Sequence, residues 1–210
     1  MFNKLHKNKK AIVGIEAAIV LIAFIIIAAA LSYVVVNMGF YTTQKTKETI
    51  QSGLDESLSA LQLDGVVTGK TEDTSKIEYI IFPVKLSVGK AALDLGNESV
   101  IVSVYLPNAT LMNVYEGAIS TNKTDWDSLN NTLSLSGDEA KFAIYNGDND
   151  TVLESTEKAF LVMRLNATAG HTIADYDAVK IEVKTAVGAA LSVVRTAPGG
   201  MPASSFVDLG

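Results

Sequence analysis

The sequence predicts an α+β chain, with a long hydrophobic N-terminal α-helix followed by an all-β sandwich of immunoglobulin-like topology. Three observations predict it. Ala11–Phe40 holds a single residue charged at neutral pH, Glu16, and no proline. Tyr41–Leu63 turns polar but keeps apolar residues at helical spacing. Beyond Gly65 the composition shifts to Val, Ile, Thr, Ser and Asn, with turn residues at intervals.

The helix comes first. About 20 apolar residues span a bilayer, and the run from Ala11 exceeds that. A helix that is apolar all round must be buried in lipid or in protein. Ile50, Leu54, Leu58 and Leu61 continue it as one stripe. Asp64-Gly65 supplies a stop. The expected object is a helix over 12–64, greasy all round in its first half and along one face in its second.

The leader is basic. Lys4, Lys7, Lys9 and Lys10 stand there without an acid, and the chain as a whole carries −6. Without those four lysines the remainder carries −10. Lysines before an apolar span hold that end in the cytoplasm. An acidic body argues against nucleic-acid binding. An ordinary secretory signal places its small-residue cleavage site after the apolar region. Here Lys9-Lys10-Ala11 precedes it, so a cut before Ile12 would remove the basic segment and keep the helix. The alternative is an uncleaved signal anchor.

Glu16 is the one acid in the span. An intramembrane acid is costly and usually has a partner. A new α-amino group at Ile12 would lie one helical turn away, or would meet Glu16 of a neighbouring subunit. Alternatively Glu16 reaches the headgroups and favours the helix N-terminus through the dipole.

After residue 65, Val179, Ile181 and Val183 alternate with Lys180, Glu182 and Lys184, the pattern of a half-buried strand. Ile77–Leu86, Ser99–Leu106, Lys141–Asn146, Lys158–Leu165 and Gly188–Thr196 are further strand candidates. Pro83 suggests an edge strand or bulge. Asn146-Gly147-Asp148 is an expected turn, and Pro198–Pro202 an irregular tail.

Catalytic chemistry is sparse. The histidines are His6 and His171, cysteine is absent, and no hydrolase or zinc-protease motif occurs. Gly65–Thr71 (GVVTGKT) falls one residue short of a phosphate loop and follows a helix rather than a strand. It reads as a polar loop. Asn146, Asp148, Asp150 and Glu157 have the spacing of an oxygen-ligand calcium loop, but Thr151 stands where the sharp turn needs glycine. A solvated hairpin loop is the expected reading. His171, Asp175 and Asp177 read as a polar turn. No metal, cofactor or enzymatic activity is expected.

Six N-x-[ST] sequons, at Asn97, Asn108, Asn122, Asn130, Asn149 and Asn166, all lie beyond the helix. Their placement suits a glycosylated extracellular surface.

The stretch NKKAIVGIEAAIVLIAFIIIAAALSYVVVNMGFYTTQK resembles the N-terminus of archaellins, the archaeal flagellins, which share class III signal peptides with type IV pilins. IIFPVKLSVGKAALDL and the region from Phe160 onward are also similar to that family. The resemblance implies that residues 1–11 are a signal peptide, cut by a prepilin-type leader peptidase. Lys9, Lys10 and Ala11 match the site, Gly14 matches a glycine at the third mature position, and Glu16 an acid at the fifth. It implies an outer β-domain over 65–210 and a helical polymer of identical subunits. The partners implied are the assembly ATPase, the membrane platform, and the cytoplasmic membrane for the precursor. The filament would be extracellular and would serve swimming. An adhesion pilus, or an uncleaved membrane-anchored outer component, would use the same helix.

Overall fold

The computed structural model describes residues 7–57, 60–72, 75–88 and 92–210, with α1 side chains from Val13 onward. The lysines, alanine and isoleucine of the expected cleavage site therefore have side chains outside the described residues. The chain divides into two compact units, residues 1–53 and 54–210.

The first unit is helical. α1 (Lys7–Ser57) runs for 51 residues, roughly 75 Å at 1.5 Å per residue. It stops at Ser57, short of the expected Asp64, because Leu61–Leu63 is a strand paired with Ile77–Leu86. Leu61-Gln62-Leu63 satisfies a period of two as well as the helical stripe. Burial of Leu61 against the sheet decides the matter, leaving it 2% exposed.

The second unit contains β1 (Leu61–Leu63), β2 (Thr68–Thr71), β3 (Ile77–Leu86), β4 (Ala92–Asp94), β5 (Val100–Tyr105), β6 (Thr110–Leu111) and β7 (Tyr115–Ser120). After these come α2 (Trp126–Leu133), β8 (Glu139–Tyr145), β9 (Val152–Glu154), β10 (Lys158–Arg164), β11 (Ala178–Thr185), β12 (Leu191–Thr196) and β13 (Phe206–Asp208). The larger sheet runs β13-β2-β3-β10-β8-β7, with β1 also on β3; the smaller runs β12-β11-β5-β6; β4 and β9 form a ribbon.

The two larger sheets face one another. Phe82, Val84, Phe142, Leu161 and Met163 of one share a core with Val102, Val104, Ile181, Val183 and Val193 of the other. Each such side chain contributes roughly 1.5–3 kcal/mol on burial. The sandwich is thus as expected.

One pairing is not antiparallel. β7 and β8 run parallel, and a parallel pair needs a crossover, usually a helix. α2 is that crossover. Asp125 caps it by accepting from the Ser128 N–H at 2.8 Å, and Ser134 ends it in the left-handed region at φ 47°. Leu129 and Leu133, four apart, pack on Ala143 and Val162, closing the outer face of the larger sheet.

Pro83 lies in β3, an interior strand rather than an edge. Its carbonyl accepts from Asp64 N–H at 3.0 Å. Its ring nitrogen faces the same side, opposite the Asp64–Val67 connection where β1 has ended and β2 has not begun. The missing donor costs no ladder bond there. Gly65–Thr71, expected as a polar loop, ends in β2 because its backbone pairs with β3 and β13.

Candidate assembly surface

Among the described residues, the largest run of exposed apolar side chains lies on α1. Every described residue from Val13 to Leu54 is exposed. Ile15, Leu21, Phe24, Ile27, Leu31 and Phe40 each leave 62–69% of their surface uncovered. Its most apolar 18 residues have a mean hydropathy of 3.0, and none of them is buried within the chain. Soluble monomers do not present apolar surface on this scale.

The helix can nevertheless be dried at little polar cost. Its backbone groups are satisfied internally. Thr42 and Thr43 donate their hydroxyls back to the Met38 and Gly39 carbonyls, both at 2.8 Å. Thr49 does the same to Lys45 at 2.9 Å, beside the exposed Lys45–Glu48 pair. Polar and charged side chains gather from Thr42 onward, so the helix passes from a dry segment to a wettable one. Gly14 and Glu16 both lie on the exposed helix. Ala17, Ala18, Ala23 and Ala28–Ala30 leave room for close helix approach.

The polar candidates of the β-domain scatter. Asp150 accepts from the Val152 N–H at 2.8 Å, and Glu157, largely buried, from the Glu154 N–H at 2.9 Å. Each carboxylate closes its own turn, and Asn146 takes φ 60° at the bend. Among the described residues no group of three or more acidic or histidine side chains is placed to hold a metal. His171 does not meet Asp175 or Asp177. Its Nδ1 lies 2.8 Å from Asp138, while Asp175 accepts from Gly200 N–H and Asp177 from Ala174 N–H. Asp138 is thirty-three residues away in sequence, so spacing could not reveal it.

The half-buried Lys70 of the near-miss phosphate loop pairs with Glu72 and lies over the rings of Tyr79 and Trp126, 5.7 and 5.5 Å from their centroids. It is part of the packing beneath α2.

Four carboxylates are held below their usual range, among them Glu182, through its bond to Lys180. At Asp64 the cause is Lys158 and Lys85, 2.5 and 2.7 Å away. At Asp94 it is the Ser99 hydroxyl and then the Gly96 amide. At Asp125 it is the Ser128 amide of the α2 cap. Burial pushes the Tyr115 phenol up, with Asp94 adding to it, and its hydroxyl donates to the Leu95 carbonyl. Each of these groups closes a turn, a cap or a strand contact of the β-domain.

The sequons divide by setting. Asn97, Asn108, Asn122 and Asn149 are exposed in loops and turns. Asn108 donates its amide to Gly170 O at 2.8 Å. Asn130 is half-buried inside α2. Asn166 caps a short 3-10 turn, accepting from Thr168 and Ala169 N–H.

Comparison with known proteins gives one consistent result. Residues 11–195 match the family model for archaeal-type flagellin. Probable flagellin 1 of Aeropyrum pernix is 40% identical over 97% of this chain and 100% of its own. Probable flagellin 2 of Archaeoglobus fulgidus is 31% identical over 97% of both. Among solved structures, the archaeal flagellum of Methanospirillum hungatei strain JF1 has a TM-score of 0.53 at 26% identity, covering 89% of this chain and 94% of that one. Archaeal flagellin FlaB1 from Methanocaldococcus jannaschii has a TM-score of 0.58 at 18% identity over 71% of this chain and 95% of its own, a likeness of fold. A chain with an uncovered apolar helix, a β-rich outer domain and this match over most of its length belongs to the archaeal-type flagellin family, whose members are structural subunits of the archaellum filament and not enzymes.

Proposed function

We propose that this chain is inserted in the cytoplasmic membrane as a precursor, is cut after Ala11, and polymerises with identical subunits through its N-terminal helix. The observation that carries the proposal is the exposure of the whole apolar surface from Val13 to Leu54. In the precursor lipid covers it. In the filament the same surface of neighbouring copies covers it. Moving from lipid to helix bundle keeps it dry throughout, and the small side chains from Ala17 to Ser32 allow close packing. Cleavage before Ile12 removes the lysines that would otherwise hold the helix against the membrane.

The partners that follow are a prepilin-type leader peptidase, acting at Lys9-Lys10-Ala11, and the ATPase and membrane platform that extract and add subunits. The contact between copies is head-to-tail and does not close, so it yields a helical polymer. The β-domain, with its sequons, forms the extracellular coat.

The test is the mature N-terminus and the phenotype of its loss. Mass spectrometry of filaments should begin at Ile12. Deletion should abolish swimming and remove the rotating filament while surface attachment largely persists. An intact Met1 in filaments would defeat the processing step. Normal swimming with lost attachment would make the filament an adhesive one.

A further inference from the structure

One turn of the β-domain gathers reactive groups that assembly does not use. Asn146-Gly147 is the single Asn-Gly pair in the chain. It follows directly on the end of β8 at Tyr145. Asn146 is exposed and takes φ 60°, in the left-handed region. Its backbone N–H donates to Asn122 Oδ1 at 3.3 Å. Among the described residues, neither its carboxamide nor the Gly147 N–H has a hydrogen-bond partner.

Gly147 is crowded on its other side. A Cβ there would meet Ser120 Oγ at 2.9 Å, Ile144 Cγ2 at 3.2 Å and Glu157 Oε1 at 3.4 Å. Any other residue would have to displace them. Glu157 is 6% exposed, and the Glu154 N–H fixes its Oε2 at 2.9 Å. Oε1 is the oxygen left facing Gly147. A buried carboxylate and a free carboxamide thus flank one peptide nitrogen.

Asp64-Gly65 is the chain's comparable Asp-Gly pair, and it is locked. Asp64 Oδ1 lies 2.7 Å from Lys85 and Oδ2 2.5 Å from Lys158. That side chain cannot turn onto the Gly65 nitrogen without breaking both ion pairs. Asn146 has no such restraint.

We propose that Asn146-Gly147 is a self-modifying site. The Gly147 nitrogen attacks Cγ of Asn146 while Glu157 Oε1 takes up its proton. The N–Cγ bond forms, the Cγ–Nδ2 bond breaks, and Nδ2 leaves as ammonia carrying that proton. Water then opens the cyclic imide at either carbonyl, leaving aspartate or isoaspartate at position 146. The sum is one water in and one ammonia out, with no oxidant, reductant or second protein. Proximity drives the attack, and the positioned carboxylate adds general-base catalysis. The product places a new carboxylate beside Asp148, Asp150 and Glu157, a like-charge cluster that loosens the turn. Because the step is one-way, the converted fraction records how long a subunit has been folded. The proposal concerns the β-domain alone and does not depend on how subunits assemble.

Peptide mapping of the mature, folded protein tests it. Cutting after Lys141 and Lys158 releases Phe142–Lys158. Incubated in neutral buffer, the folded chain should accumulate the acid form of that peptide, with fragment masses placing the change at Asn146 rather than Asn149. An isoaspartyl methyltransferase should label the product, and Asp64-Gly65 should take no label. The folded chain should convert faster than a synthetic Phe142–Lys158 peptide under the same conditions. An equal or slower rate, or conversion at Asn149 alone, would overturn the proposal. Glu157→Gln keeps an oxygen for the Glu154 N–H, so its unfolding midpoint should stay near wild type. Its conversion should slow by about tenfold or more. A wild-type rate in that variant would remove Glu157 from the chemistry and overturn the proposal in the form given. The comparison of folded chain with peptide decides the matter even where that variant fails to fold.

Discussion

Gly65 faces Pro83 so closely that a Cβ on the glycine would sit 2.8 Å from the Cγ of the proline ring. Each residue licenses the other. The connection from β1 to β2 can pass over the proline because glycine has no side chain, and the proline can sit inside the sheet because that connection asks nothing of its nitrogen. Gly65→Ala should therefore destabilise the β-domain by about 1–3 kcal/mol. Denaturant unfolding followed through Trp126, the sole tryptophan, measures it. An unchanged midpoint would mean the strand junction yields freely.

Acid should weaken the domain in a defined direction. Asp64, Asp94 and Asp125 are all held below the ordinary carboxylate value of 3.8. A depressed folded-state pKa gives stability that is present above the unfolded value and lost as pH falls through the folded one. The unfolding midpoint should thus be flat from neutrality to about pH 5 and decline below about pH 4. Asp94→Asn should show a shallower decline, measured by thermal denaturation across that range.

At the alkaline end Tyr115 should stay silent. Its hydroxyl donates to Leu95 O and its phenol is held far above the usual range by burial. The sign is opposite to the carboxylates. Its contribution is complete below about pH 10 and is lost only as pH climbs toward the raised folded value. An ultraviolet titration of the folded chain should leave this phenol un-ionised at about pH 11, whereas Tyr115→Phe should lose about 1 kcal/mol of stability through the missing hydrogen bond.

Sugar should be found first at the exposed sequons. Asn97, Asn122 and Asn149 are open to solvent, whereas Asn130 is half-buried on α2 and Asn166 is engaged in a cap. Glycopeptide mapping should show occupancy at one or more of the first three. Bare asparagine at all six would reject the glycosylated coat, and occupancy confined to Asn130 and Asn166 would reject the ranking.

Glu16→Gln should slow incorporation of subunits without impairing insertion or processing. The acid is the single charge on an otherwise apolar, fully exposed stretch. Its proposed role is to meet the new amine of Ile12 during docking. Wild-type assembly kinetics would leave it as an interfacial charge with no part in docking.

Much of the architecture could be read from periodicity, and the misses share a cause. β11 alternates without interruption, and β3 emerged at its full length from its apolar run. α2 escaped because eight residues rich in Asn, Ser and Asp have little helical propensity. Its signals, Asp125 as a cap and Trp126, Leu129 and Leu133 at spacings of three and four, are short enough to pass for a loop. β2, with the sequence TGKT, has no pattern of its own and is a strand because two neighbours pair with it. The helix end was misplaced because Leu58 and Leu61 continue the helical stripe, and only the register Leu61↔Leu86 shows which period governs. The assembly helix was plain, since composition alone carries it. The surroundings of Asn146-Gly147 were not, since Ser120 and Glu157 come against Gly147 only after β7, β8 and the turn before β10 are brought together.

The even greasiness of α1 has a mechanical consequence. Apolar residues occupy every side of the span, as in the unbroken run from Ile19 to Ile22 and again from Phe24 to Ile27. Such a rod gains nearly the same free energy at any azimuth about its own axis, because solvent exclusion is non-directional. A core built from it resists pulling apart far more than it resists twisting. In the proposed filament, torsional stiffness would then fall to features with direction, which are the single acid at Glu16 and the small side chains of Ala17, Ala18 and Ala23 that let one side of the helix come closer than another.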